Sequence, residues 1–166
     1  MADELDPSVQ TDAINAEYKY PFHWDLDFSL NIGEDNRKFF EAIEEKRILG
    51  KKCPDCGATF VPPQAVCVEC YVETDEWVEV EQHGVVESYT ACFFEFEGLP
   101  EPPYITAAIR VADSDICMLH FIDGIEYEDH DELVEKLHKG TEVEPVWADE
   151  REGHIRDIKH WQPVEK

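Results

Sequence analysis

Basic residues are scarce in this chain. Of its 166 residues only 14 are Lys or Arg, against 39 Asp or Glu, and the net charge is −25. Such a surface repels phosphate backbones and anionic lipid alike, which argues against a nucleic-acid or membrane-surface function. Long apolar runs are also missing, since no stretch approaches the ~20 residues that span a bilayer. The acidic N-terminus has no basic region leading into an apolar run, so no export signal is expected and the protein is expected to be cytoplasmic. No Gly-rich phosphate loop occurs, and none of the seven histidines shows a paired metal spacing such as His-x-x-x-His. Disorder of the whole chain is excluded by a 43% hydrophobic content that includes four Trp, six Tyr and nine Phe. The length fits one ordinary domain, or a small domain with a metal-held appendage. Three explanations of the acidity stand side by side: a basic partner, a high-salt cytoplasm, or solubility from carboxylates spread along the chain.

Cysteine is patterned. Four of the six cysteines form two Cys-x-x-Cys pairs, Cys53/Cys56 and Cys67/Cys70. A Cys-x-x-Cys turn aims two thiolates at one centre, and four soft sulfurs satisfy tetrahedral zinc with no position left open. Gly57 stands where the chain must turn tightly with a positive φ. Phe60-Val-Pro-Pro63 supplies a small hairpin with an apolar face. The spacing therefore predicts a closed, structural zinc ribbon with Cys53, Cys56, Cys67 and Cys70 as ligands, not three disulfides. Cys92 and Cys117 stand inside predicted strands and read as buried, inert thiols.

Ahead of the ribbon, residues 1–33 show no period and form an arm. Five aromatic rings crowd into residues 18–24, fit either to pack on their own domain or to anchor on a partner. Residues 35–48 predict a helix, capped by Asp35 or Asn36, with Phe39, Phe40 and Ile43 on one face and Gly50 as its stop. After the ribbon the period changes to two. Strands are predicted at 77–82, 85–96 (bent or bulged near its middle), 104–111, 116–122, 141–147 and 154–160, with a short helix at 131–138. Proline and glycine make residues 97–103 a loop, 113–115 form a turn, and 149–153 the tip of the last hairpin. This order suggests a small closed Greek-key barrel, and the chain divides into an arm 1–33, a helix plus ribbon 34–75 and a barrel 76–166.

Taken together, these residues carry a likeness. Helix, Cys-Pro-x-Cys-Gly, Pro-Pro, Cys-x-x-Cys and barrel, in that order, resemble the acyl-CoA-associated family that joins a rubredoxin-like zinc ribbon to an OB-fold. Gly84-Val-Val-Glu-Ser-Tyr-Thr90 is similar to that family's Gly-x-Val-x-Ser-aromatic-Thr strand. Pro102-Pro-Tyr104, residues 107–111, His138-Lys-Gly-Thr-Glu-Val143 and Ile158-Lys-His-Trp-Gln-Pro163 resemble its later motifs, covering residues ~34–164. The resemblance implies a mainly β fold: an N-terminal helix and a rubredoxin-like, four-cysteine zinc ribbon, followed by a small OB-fold β-barrel. It implies structural zinc, and an accessory subunit paired with a thiolase-fold chain that handles an acyl-CoA, benzoylsuccinyl-CoA thiolase being among the known pairings.

The residues agree with an accessory part. A thiolase needs a nucleophilic cysteine, an acid/base cysteine and thioester-polarising histidines, and this chain is too short for that fold. No catalytic residue is assigned, and none is expected to work without a partner. If CoA phosphates touch this chain, Arg47, Lys51 and Lys52 are the candidates, with neutralisation of the zinc thiolates as their other use. Docking on the partner is expected through the helix and ribbon, by complementary charge. Two rival functions remain: a single-stranded nucleic-acid-binding barrel, which would need a cationic groove, and a stand-alone acyl-CoA hydratase or thioesterase built on His120.

Overall fold

The computed structural model of the chain describes residues 29–96 and 98–164. The aromatic segment 18–24 and the rest of the arm up to residue 28 lie outside the described residues. Helix α1 spans Gly33–Glu44 and buries Phe39, Ala42 and Ile43, with Glu34 and Asp35 in its first turn, where they favour the positive end of the helix. Its N-cap is Ile32, with no capping side chain, and the expected caps Asp35 and Asn36 stand inside the helix. Asn36 instead donates its side-chain amide to the Ile32 carbonyl, at 2.8 Å.

The helix stops earlier than the sequence suggests, and at a different residue. Lys46 takes a left-handed φ of 59°, and the Lys46 N–H donates to the Ile43 carbonyl. The Arg151 guanidinium then takes up the Glu44 carbonyl at 2.7 Å. Gly50, read as the stop, belongs to the strand that follows. A Cβ there would lie 2.9 Å from Val61 Cγ2 and 3.0 Å from the Phe60 carbonyl oxygen, so close strand packing is its use.

Strands β1 (Leu49–Lys52), β2 (Thr59–Phe60) and β3 (Glu76–Glu79) form a small antiparallel sheet with β1 in the middle. Strands β4 (Gly84–Cys92), β5 (Tyr104–Val111), β6 (Met118–Ile122), β7 (Glu142–Trp147) and β8 (Ile158–Pro163) close into a barrel in the order β4-β5-β6-β8-β7, with α2 (His130–Lys136) between β6 and β7. This is the five-stranded arrangement of an OB-fold. In β5 every second residue, Ile105, Ala107, Ile109 and Val111, is buried, as strict alternation demands. β4 needs a correction to that rule, because a bulge between Val86 and Ser88 shifts its register against β5. It also ends at Cys92 rather than at residue 96.

The last hairpin departs from expectation for a local reason. A 3-10 turn, Ile155–Asp157, precedes β8, because the buried Asp157 carboxylate collects the backbone N–H groups of Glu152, Gly153 and His154. One apolar core joins α1 to the barrel: Phe39, Ile43, Ile48 and Val61 pack in the same cluster as Ile109, Leu133, Leu137 and the fully buried Trp161. The ribbon has a smaller core of its own around Cys53, Phe60 and Cys67. No helix among the described residues is long and apolar enough to cross a membrane.

Candidate metal centre

Two short loops with the same internal hydrogen bonds build the centre. In the first, the Cys53 N–H donates to the Ala58 carbonyl and the Gly57 N–H to the Cys53 carbonyl. In the second, the Cys67 N–H donates to the Val72 carbonyl and the Tyr71 N–H to the Cys67 carbonyl. Each loop needs a left-handed residue directly after its second cysteine. Gly57 supplies it with φ 77°, as anticipated, whereas Tyr71 supplies it with φ 59°. The Tyr71 position was not legible, because a bulky residue there gives no glycine signal.

The loops bring all four expected sulfurs together. The Sγ atoms of Cys53, Cys56, Cys67 and Cys70 lie within 4.8 Å of one another, and Cys56 and Cys67 are 3.7 Å apart. Tetrahedral zinc with sulfur bonds of about 2.3 Å places its ligand sulfurs roughly 3.8 Å from each other. The spacing and the all-sulfur donor set therefore fit zinc. Cys53 and Cys67 are buried, Cys70 is half-buried and Cys56 is exposed, so the centre sits at the surface with its inner half sealed.

The thiols already differ in proton affinity. The backbone N–H of Cys56 draws the Cys53 thiol down to about 7. Sharing with the Cys56 sulfur, followed by burial, pushes Cys70 up to about 12. A bound cation replaces those shared protons and holds all four as thiolates, which is why metal and fold are gained together in such loops.

The ribbon is fastened to the barrel by a pair of hydrogen bonds that only the structure reveals. Thr59 donates its N–H to the Asp115 carboxylate at 2.7 Å, and Asp115 returns its own N–H to the Thr59 carbonyl at 2.8 Å. Ile116 packs on the ribbon core beside it. In sequence, residues 113–115 show only turn chemistry.

Two of the three candidate cations are engaged by carboxylates of their own protein. Lys51 is buried and pairs with Asp35 at 2.9 Å, lying 5.6 Å from the centre of the Trp77 ring, which Lys38 covers at 4.4 Å. Arg47 is held by Glu45 and, at 3.3 Å, by Glu79. For Lys52 no ion pair occurs among the described residues.

The two remaining cysteines correct the expectation of core thiols. Cys117 is exposed just ahead of β6, and Cys92 is half-buried at the end of β4. The Tyr104 hydroxyl draws the Cys92 thiol below its ordinary range. His120 does face the core. It is buried, its Nε2 lies 3.2 Å from the Ile155 carbonyl, and its Nδ1 has no partner among the described residues.

A ribbon with four thiol donors, set on a five-stranded barrel, defines the class: a zinc-ribbon/OB-fold protein. The sequence matches the ChsH2 rubredoxin-like zinc ribbon domain over residues 40–76 and the ChsH2 C-terminal OB-fold domain over residues 77–148. The chain belongs to this family. It is 28% identical over 82 residues to a Thermomonospora curvata protein described as "Probable enoyl-CoA hydratase alpha subunit". That match spans 49% of this chain but only 26% of the relative. Among solved structures, a Sulfolobus solfataricus protein of unknown function from the DUF35 family superposes with a TM-score of 0.55 at 26% identity, over 69% of this chain and 78% of that one. A structure described as the Ltp2-ChsH2(DUF35) aldolase gives a TM-score of 0.58 at 23% identity, over 81% and 98% of the two chains. The second likeness concerns the fold alone.

Proposed function

We propose that this chain is the accessory zinc-ribbon subunit of a heteromeric enzyme acting on acyl-CoA thioesters, and that a thiolase-fold partner carries out the carbon–carbon bond chemistry. One observation carries the reading: ribbon and barrel of the ChsH2 type together account for residues 40–148. The relative described as a hydratase subunit supports a place beside acyl-CoA chemistry. The donor chemistry supports an accessory part, since four thiolates close the coordination sphere of zinc and leave no site for water or substrate.

In this reading Cys53, Cys56, Cys67 and Cys70 hold the metal, whose bound ion cross-links a segment with too small a core to fold unaided. The partner's basic surface holds most of the CoA phosphate charge. Arg47 and Lys51 are already committed to carboxylates, which leaves Lys52 as the candidate contact from this chain. The acidity of this subunit then serves docking rather than ligand binding.

Co-purification with candidate thiolase-fold chains from the same genome tests the proposal. A stable complex is expected, together with acyl-CoA cleavage or condensation that needs both chains. A thiolase that reaches full activity alone while this chain elutes as a free monomer refutes it.

A further inference from the structure

The outer face of β4, β5 and β6 is unusual for so acidic a protein. The register aligns two complete rows across it, Ser88–Ala108–Leu119 and Thr90–Thr106–Phe121. None of these six residues is charged, although the chain carries 39 carboxylates. Leu119, at the β6 end of its row, stands 77% exposed. The loop that leaves β4 continues the surface with Phe93, 67% exposed, Phe94, 73% exposed, and Phe96, also exposed. Between loop and sheet lies a cleft of 410 Å³ lined by Thr90, Phe94, Leu99, Tyr104 and Phe121, among others.

Soluble proteins seldom leave so many large apolar side chains together in water. Carboxylates border the patch on its loop side, where Glu95 and Glu101 are exposed. At the far end Glu87 is neutralised by Arg110 at 2.9 Å and Lys139 at 2.8 Å. An apolar centre with a polar rim, acidic on its loop side, is the pattern of a protein interface.

The charge decides between occupants. A second copy would bring one net charge of −25 against another, and an anionic bilayer is repelled in the same way. We propose that the outer face of β4–β6, with the phenylalanine loop 93–96, is the docking surface for a partner subunit that presents apolar side chains ringed by Lys and Arg. One of those side chains fills the cleft. This inference rests on the accessory-subunit function proposed above, and it moves the docking site from the ribbon to the barrel.

The test titrates the full chain against the thiolase-fold chain by calorimetry and maps the complex by amide hydrogen exchange. The double variant Phe94→Ser/Leu119→Ser is expected to weaken association about 100-fold, as the loss of two apolar anchors does. Val134→Ser, which removes an exposed apolar side chain from α2, away from this face, is expected to bind as the parent does. In the parent complex, amides of residues 88–99 and 117–121 gain protection, and added salt slows association through the charged rim. The exchange map decides the matter if the double variant folds poorly.

Undiminished binding by the double variant, or protection confined to the ribbon, overturns the inference and leaves the accessory function standing. Self-association of the chain alone through this face overturns the choice of occupant. Failure of the parent chain to bind at all refutes the accessory function itself, and this occupant with it.

Discussion

Replacing Gly84 with alanine probes how tightly the barrel closes. Gly84 pairs with Val111 of β5 on one side and Val143 of β7 on the other, at the seam where the barrel is sealed. A Cβ on this residue would stand 2.5 Å from Ile109 Cγ2, 3.3 Å from Trp161 Cζ3 and 3.4 Å from the Arg110 carbonyl oxygen. Carbon atoms in favourable contact sit about 3.5–4.0 Å apart, so Ile109 must yield by roughly 1 Å. Both Ile109 and Trp161 are fully buried, with no solvent to move into. Overpacking of this kind costs about 1–3 kcal/mol, offset by about 0.4–1 kcal/mol from the stiffer unfolded chain. The net loss of about 1–2 kcal/mol lowers the urea midpoint by roughly 0.5–1 M, for a slope of about 2 kcal/mol/M. A double-mutant cycle with Ile109→Ala identifies the cause. Removing the clashing methyl relieves the strain, and the two changes couple by about 0.5 kcal/mol or more. An unchanged midpoint for Gly84→Ala, or strict additivity in the cycle, refutes the reasoning.

Three further outcomes follow from the geometry. Cys67→Ser alters a fully buried donor, and is expected to abolish stoichiometric zinc, read by atomic emission, and amide protection across residues 50–72; retained zinc refutes the donor assignment. Asp115→Ala removes the carboxylate that holds the Thr59 N–H; a loss of about 1 kcal/mol with faster exchange at Thr59 is expected, and unaltered exchange there shows that the ribbon is held otherwise. Burial keeps the His120 imidazole below its ordinary range, so on acidification the unfolded chain binds the proton first, at about pH 6.5. Stability from this residue is full above that pH and is lost on descent towards the lower folded pKa. His120→Phe is therefore expected to flatten the stability profile below about pH 6.5 in urea titrations, and parallel profiles for the two proteins contradict this.

Some of this molecule is legible in one dimension because its signals are local. Two Cys-x-x-Cys pairs announce the ribbon, and Tyr104–Val111 emerges with its observed bounds because strict alternation lies between a proline loop and an aspartate turn. The strand before it is overextended, since Phe93-Phe94-Glu95-Phe96 carries on an apolar pattern that ends in water rather than in the core. An apolar run does not say which of its residues meet the core. Gly50 looks like a helix stop until Val61 and Phe60 are seen against it. Arg47 and Lys51 look free to meet phosphate until the fold brings up Glu79 and Asp35 from distant positions. Asp157 looks like part of a strand until three backbone N–H groups converge on its carboxylate. Each miss is a contact the linear pattern does not mark, or a backbone preference with no marker residue.

The bulge in β4 bears on how this strand could change length. Gly84 and Val86 point into the barrel before it, and Tyr89 and Ala91 pack against the core after it, so Glu87 is the supernumerary residue between two correctly phased halves. Its side chain is spent outside, between Arg110 and Lys139. A β4 shortened by this single residue would alternate without interruption and keep every other side chain on the face it already occupies. Elsewhere in the strand, losing one residue would turn the following half inside out. Glu87 thus marks a place in the wall of the barrel where a one-residue deletion is silent to the interior and costs the outer surface only the ion pairs with Arg110 and Lys139.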